Sequence, residues 1–223
     1  MTTSGTATKE RLSRETIAAG ALTLADREGL EAVTIRRLAQ EHSVTPMALY
    51  WHFKDKDAVL DGIAERIFAS VTLPEPDGAP WDVQLRAVLL AVLAAVRPHP
   101  LVAELLTPRV MKSDAGLVLA ERVIGMLRDA GFSAASASQT ASFLLSSIVT
   151  LVTSEPGKSS PLTGDAQEDL YRTKRAQLDS LSPKRFPHLL ESAQFFLVCD
   201  DVESYFTSGM DFLVEGTRGV RTV

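Results

Sequence analysis

Wherever apolar residues recur in this sequence they do so at the three-to-four-residue interval of an amphipathic helix, and no stretch alternates them at the two-residue interval of a strand. The chain is therefore expected to be all-α. Ile17, Ala18, Ala21, Leu22 and Ala25 form the first stripe, opened by Ser13 as N-cap and stopped by Gly29. Thr34 caps a second, short helix with Ile35, Leu38 and Ala39 turned inward. Thr45 caps a third, with Pro46 at its first helical position, where the missing N–H costs nothing. Asp55 caps a fourth, which carries Val59, Leu60, Ile63 and Ile67.

Pro74-Glu75-Pro76-Asp77-Gly78-Ala79-Pro80 then breaks the chain. Beyond it the spacing predicts helices over Trp81–Arg97, Leu101–Leu106, Ala115–Ala130 and Ala134–Thr153. Ser154 to Ala166 reads as a mobile loop, followed by polar, proline-broken segments. A last helix opens with Asp200 and Glu203 at capping-box spacing. Its apolar face is Val202, Tyr205, Phe206, Gly209, Phe212, Leu213 and Gly216. No internal repeat is visible.

The helix over Ala134–Thr153 has no charge and about the length of a membrane span. Its five Ser, three Thr and one Gln make it too polar to face lipid, so it is expected in a protein interior or an interface. Met1 to Thr8 lacks the apolar segment of a secretory signal. One cysteine, Cys199, excludes an internal disulfide framework and a cysteine-cluster metal site, and it fits a small hydrophobe better than a nucleophile. His42, His52, His99 and His188 include no pair at i, i+4, which disfavours a metal centre. No cofactor is expected, and a cytoplasmic location is.

The net charge of −5 argues against a polyanionic partner, but the charge is unevenly spread. Residues 1–56 hold 8 Lys+Arg against 7 Asp+Glu, whereas the rest hold 15 against 21. Basic groups act on phosphates over about a Debye length, so local placement outweighs the total.

The informative segment is Thr34 to Lys56, TIRRLAQEHSVTPMALYWHFKDK. Two short helices meet at Glu41-His42-Ser43-Val44. Ala39 is small where they must cross, and Val44 and Leu49 are placed to plug the angle between them. This is the helix-turn-helix arrangement, although many helical hairpins share the spacing. The whole run is more specific. TIRRLA followed by V-T-P-x-x-LYWHFKDK resembles the N-terminal domain of the TetR family of transcriptional repressors, over about residues 10–70. Trp81 opening a helix, Gly131-Phe132-Ser133 before another, and the closing Phe206, Gly209, Phe212, Leu213, Gly216 run resemble, more loosely, the branch that includes the tetracycline repressors. One departure is Ser43, where the family usually has Gly to relieve a left-handed turn; Ser adopts that conformation at a cost of about 1 kcal/mol.

The resemblance implies three parts: an N-terminal arm and DNA-binding domain over 1–56, a connecting helix over 57–73, and an effector-binding and dimerisation domain over 74–223. Thr45, Pro46, Met47 and Ala48 form the first turn of the recognition helix, which meets base edges, and the apolar pair Met47 and Ala48 would read thymine methyls. Arg36 matches a family position that reaches a base, with guanine its expected target. Tyr50, His52 and Lys56 resemble the family's phosphate contacts, and Thr34 with the helix N-terminus behind it would hold another phosphate. Trp51 belongs with them, although Tyr50 and Trp51 have a packing alternative; Phe53 and Arg37 are expected in the core and on the solvated surface.

One such domain reads too few base pairs for useful specificity, so a two-fold dimer on a pseudo-palindromic double-stranded operator is expected. The family's intersubunit four-helix bundle implies an interface through Phe143, Ile148, Tyr205, Gly209, Phe212 and Leu213; for Ala134–Thr153 the rival is monomer core. The resemblance further implies a cavity between Trp81–Arg97, Leu101–Leu106 and Ala115–Ala130 that takes a small effector. Phe68, Leu93, Val96, Glu104 and Phe143 are its candidate lining, each with plain core as the alternative. Tetracycline-sensing members place a metal-binding His three residues before a Thr; here Glu104 precedes Thr107, so a different, mostly apolar effector is preferred. The competing class, an enzyme or adaptor on the same scaffold, has little support: there is no GxSxG, Gly-rich phosphate loop or HExxH.

Overall fold

A computed structural model describes residues 12–155, 165–193 and 201–221. Among them are helices, 3₁₀ turns and no strand. In chain order the helices are α1 (Arg14–Glu28), α2 (Ile35–Glu41), α3 (Pro46–Tyr50), α4 (Lys56–Ala69), α5 (Trp81–Val96), α6 (Asp114–Asp129), α7 (Ala134–Thr153), α8 (Asp165–Asp179), α9 (Pro187–Glu191) and α10 (Val202–Arg221). The predicted mobile loop falls largely at 156–164, outside the described residues, as do Cys199 and Asp200.

The N-terminal caps act as local chemistry dictates. Ser13 accepts from the Thr16 N–H while Thr16 Oγ1 accepts from the Ser13 N–H, a reciprocal pair that closes the first turn of α1. Thr34, Thr45 and Asp55 each accept from a backbone N–H three residues on. Gly29 ends α1 at φ 83°. Ser43, the departure in the turn, stands at φ 53°, the left-handed conformation that glycine occupies more easily. The Val44 N–H then closes the turn on the Ala39 carbonyl at 2.9 Å.

One core runs from α1 through α4 into α5, α6, α7 and α10. Trp81, opening α5, meets Phe132, just before α7, edge-on with ring centroids 5.9 Å apart. Arg86 pairs with Asp211 at 2.9 Å, Arg97 with Glu203 at 2.7 Å, and Arg218 with Asp82, an antiparallel ladder that sets the register of α10 on α5. Exposed pairs of this kind contribute about 0–1 kcal/mol each, so alignment is their main effect. By length and composition α7 could cross a membrane; instead it packs on α5, α6 and α10.

Three expectations are corrected. Leu101–Leu106 is not an α-helix: prolines at 98, 100 and 108 leave turns and two 3₁₀ segments, Ala103–Leu105 and Thr107–Lys112. The polar stretch after the loop forms α8, a 15-residue helix none of whose described side chains is buried, which apolar periodicity could not reveal. The last helix is capped by Asp201, whose carboxylate accepts from the Ser204 N–H at 2.9 Å. Its core face is Phe206, Met210, Val214 and Thr217; of the apolar run read from the sequence, Phe206 is buried, Val202, Tyr205, Gly209 and Leu213 are half-buried, and Phe212 and Gly216 are open to solvent.

Candidate nucleic-acid interface

α2 and α3 form the helix-turn-helix, held by Leu38, Ala39 and Leu49, all at most 2% exposed. With Leu49 and Phe53 locked inward, the helical period turns their neighbours out. Met47 is 66% exposed, Tyr50 49% and Trp51 85%, so the packing alternative for Trp51 fails. Thr34, Arg36, Thr45 and Pro46 are also exposed, and Ala48 and His52 are half-buried. The structure thus brings these nine predicted positions, with Lys56, to one end of the molecule on two consecutive helices and their flanks. The side chains of Thr34 and Thr45 are engaged as caps.

Charge on this end is distributed by role. Arg37 is drawn into a network with Glu28 at 3.2 Å and Glu41 at 3.1 Å, which also holds Arg27. Glu28 is held below the usual glutamate range, chiefly by its hydrogen bond from Arg27. Arg36, one residue earlier, faces outward, with no ion pair among the described residues. Lys56 is half-buried and donates from Nζ to the Leu30 carbonyl at 3.0 Å. An ammonium has three donors, so one bond to the backbone leaves two for a phosphate.

Sequence reasoning missed the junction between this end and the rest of the molecule. Asp57, Asp61 and Glu65 lie at i, i+4 and i+8, one stripe along α4. Asp57 takes Arg109 at 2.5 Å and Lys112 at 3.3 Å; Asp61 stands 3.0 Å from Arg109 Nε. Glu65 accepts from Ser113 Oγ at 2.5 Å and from the Ala115 N–H, gripping the start of α6. Lys112 and Arg109 hold the Asp57 carboxyl below the usual aspartate range. On the neighbouring side Asp26 of α1 meets His99 Nδ1 at 2.8 Å, and burial raises the Asp26 pKa. The acidic spacing on α4 was the available signal, but its partners lie about 50 residues away. A groove of mixed polarity, about 1000 Å³, runs beside these contacts, between α1 and α4.

None of the predicted effector residues lines that groove. Phe68, Leu93 and Val96 are in the core at 3, 6 and 1% exposure, whereas Glu104 is exposed and Phe143 is 66% exposed. Three of the five thus belong to the monomer core, and the other two face solvent. The interface set divides in the same way. Ile148 is 1% exposed and faces its own core. Gly209 faces Leu151 of its own α7, where an added Cβ would stand 2.8 Å from the leucine methyls. Tyr205 donates to the Leu151 carbonyl at 3.2 Å, and Leu213 is half-buried. Phe143 on α7 and Phe212 on α10, at 66% and 78%, are open.

The chain matches family models for tetR-family bacterial regulatory proteins over residues 17–63 and for the tetracyclin repressor-like C-terminal domain over 73–221. It is similar to the class C tetracycline repressor protein of Escherichia coli, 30% identical over 95% of this chain and 93% of that protein. In structure it is similar to the TetR-family protein ActR of Streptomyces coelicolor in complex with (S)-DNPA, with TM-score 0.77 and 25% identity over 93% of this chain and 98% of that one. It is also similar to BioQ crystallised with its natural double-stranded DNA operator, with TM-score 0.57 and 28% identity over 65% of this chain and 88% of that one. An all-helical chain with an outward-facing helix-turn-helix, matched by both family models, belongs to the TetR family of bacterial regulatory proteins: it is a DNA-binding transcriptional regulator.

Proposed function

We propose that this regulator is a repressor that binds a pseudo-palindromic operator as a homodimer in the cytoplasm, and leaves it when a small, mostly apolar effector binds the domain at 74–223. The observation that carries the reading is the outer face of α3. Met47, Tyr50 and Trp51 are large apolar or aromatic side chains left to solvent on the helix that would enter the major groove. Exposed aromatic clusters are disfavoured on a free surface unless something covers them.

In this reading Thr45, Pro46, Met47 and Ala48 meet base edges, and Arg36 reads a guanine through its free fork. Thr34, Tyr50, His52 and Lys56 hold phosphates, and Trp51 packs along the backbone between them. Phe143 and Phe212 support the dimer, being large apolar side chains open on two helices that pack together. The effector reading is supported by the ligand-bound ActR structure and by Glu104, three residues before Thr107, where the resemblance to tetracycline-sensing members would put a metal-binding His. The effector acts only through its differential affinity for the DNA-binding and released states. No catalytic activity is proposed.

Tyr50→Ala tests the phosphate assignment. Fluorescence anisotropy against a panel of duplexes should show binding weakened on all of them alike, because phosphate contacts carry no direct sequence information. Loss confined to duplexes with one particular base pair would move Tyr50 to the base-reading group.

A further inference from the structure

Arg14 is placed badly for the helix it belongs to. It opens α1, where the helix macrodipole is positive and a cation is unfavourable. The Ser13–Thr16 capping box already satisfies that end, and Glu15 supplies the acid the first turn prefers. A residue that opposes its own helix indicates a partner elsewhere.

That partner is the turn leaving the recognition helix. Arg14 Nη1 donates to the His52 carbonyl at 2.8 Å, across 38 residues of sequence. Its guanidinium carbon lies 4.3 Å from the centre of the Phe53 ring. A planar fork can lie on a ring and donate in its own plane at the same time, which an ammonium cannot reproduce. Phe53 gives the fork a fixed floor. It is 1% exposed, and α4 comes so close that a Cβ at Gly62 would stand 3.0 Å from the ring.

The need for such a clamp follows from the size of α3. Five residues make little more than one turn, and the carbonyls beyond the last turn have no helical donor. The His52 carbonyl is one of these. Tyr50 ends the helix, Trp51 follows it and His52 carries this carbonyl, so fixing it constrains the direction in which all three face DNA.

We propose that Arg14 is a positioning residue for operator binding: its guanidinium, stacked on Phe53 and bonded to the His52 carbonyl, orients the C-terminal end of the recognition helix without touching DNA itself. This rests on the DNA-binding reading above. The test uses full-length Arg14→Lys and Arg14→Ala with a duplex that the wild-type chain selects from a random pool. Anisotropy titrations over a range of salt would be paired with thermal melting and with the emission of Trp51, one of two tryptophans.

The expected result is affinity lowered about tenfold or more in both variants, a salt slope equal to wild type, a changed Trp51 emission, and no rescue by lysine. Restored affinity in the lysine variant together with a slope reduced by about one unit in the alanine variant would show a direct phosphate contact and overturn the proposal. Unchanged affinity in both variants, with or without a lower melting temperature, would overturn it as well. A wild-type chain that selects no duplex would instead refute the DNA-binding reading.

Discussion

Two glycines in α6 should respond oppositely to the same substitution. Gly116→Ala and Gly125→Ala both replace a glycine of α6; at Gly125, in the helix interior, the change alone is worth about 1 kcal/mol in favour of alanine, and at Gly116, in the first turn, at most that. At Gly125 an added Cβ meets nothing within 4 Å, so this gain should appear undiminished. At Gly116 the same atom would stand 2.5 Å from the Val110 carbonyl oxygen, 3.2 Å from Phe68 Cδ2 and 3.2 Å from Ser113 Cβ. The carbonyl belongs to the backbone of the 3₁₀ segment and cannot rotate away. The segment or the start of α6 must shift, and overpacking of this kind costs about 1–3 kcal/mol. Because the propensity gain at Gly116 does not exceed that at Gly125, the difference between the variants is at least that cost. At about 2–4 °C per kcal/mol for a chain of this size, a middle value of about 2 kcal/mol separates their melting temperatures by about 6 °C. Scanning calorimetry at one protein concentration measures it. Gly116→Ala should also alter operator affinity, since the displaced atoms lie where Glu65 and Phe68 of α4 hold α6. Equal melting temperatures, both above wild type, would refute the close approach at Gly116.

Three further outcomes are expected. Gly209→Leu should lower the melting temperature before it dissociates a dimer, by about 1–3 kcal/mol of overpacking against Leu151; dissociation in sedimentation with unchanged melting would return Gly209 to the interface. Arg36→Ala should relax specificity at one position per half-site by about 1–3 kcal/mol in competition with single-base operator variants, whereas equal loss on every variant would make it a phosphate contact. The Asp57 carboxyl is held below its usual range by Lys112 and Arg109, so its stabilisation is complete above the ordinary aspartate pKa and fades as pH falls through the lowered value. Asp57→Asn should therefore flatten the acid limb of the stability–pH curve, and an unchanged limb would remove this pair from the account.

The helix-turn-helix was legible because its signals are local. Ser13, Thr34, Thr45 and Asp55 cap within three residues of themselves, and the left-handed turn at Ser43 follows from where the two helices must part. Leu49 inward follows from the helical period, whereas Trp51, left open between packing and contact, needed the structure to place it outward. What failed depends on partners far along the chain. α10 carries more apolar residues than one face holds, and only the position of α5 and α7 decides that Met210 and Val214 are core while Phe212 is not. Ile148 and Phe143 lie on one uncharged helix, and composition could not assign one to the core and the other to solvent. α8 has no buried side to generate a period. Arg14 was invisible as a clamp because its value lies 38 residues away.

Selection of bound duplexes from a random pool by the full-length chain tests the central claim most directly. The expected result is enrichment of one sequence in two inverted copies, their centres about 34–36 Å or a multiple apart, as a two-fold pair of recognition helices requires. Enrichment of a single, unrepeated half-site would contradict the dimer, and a pool left unenriched would contradict operator binding itself.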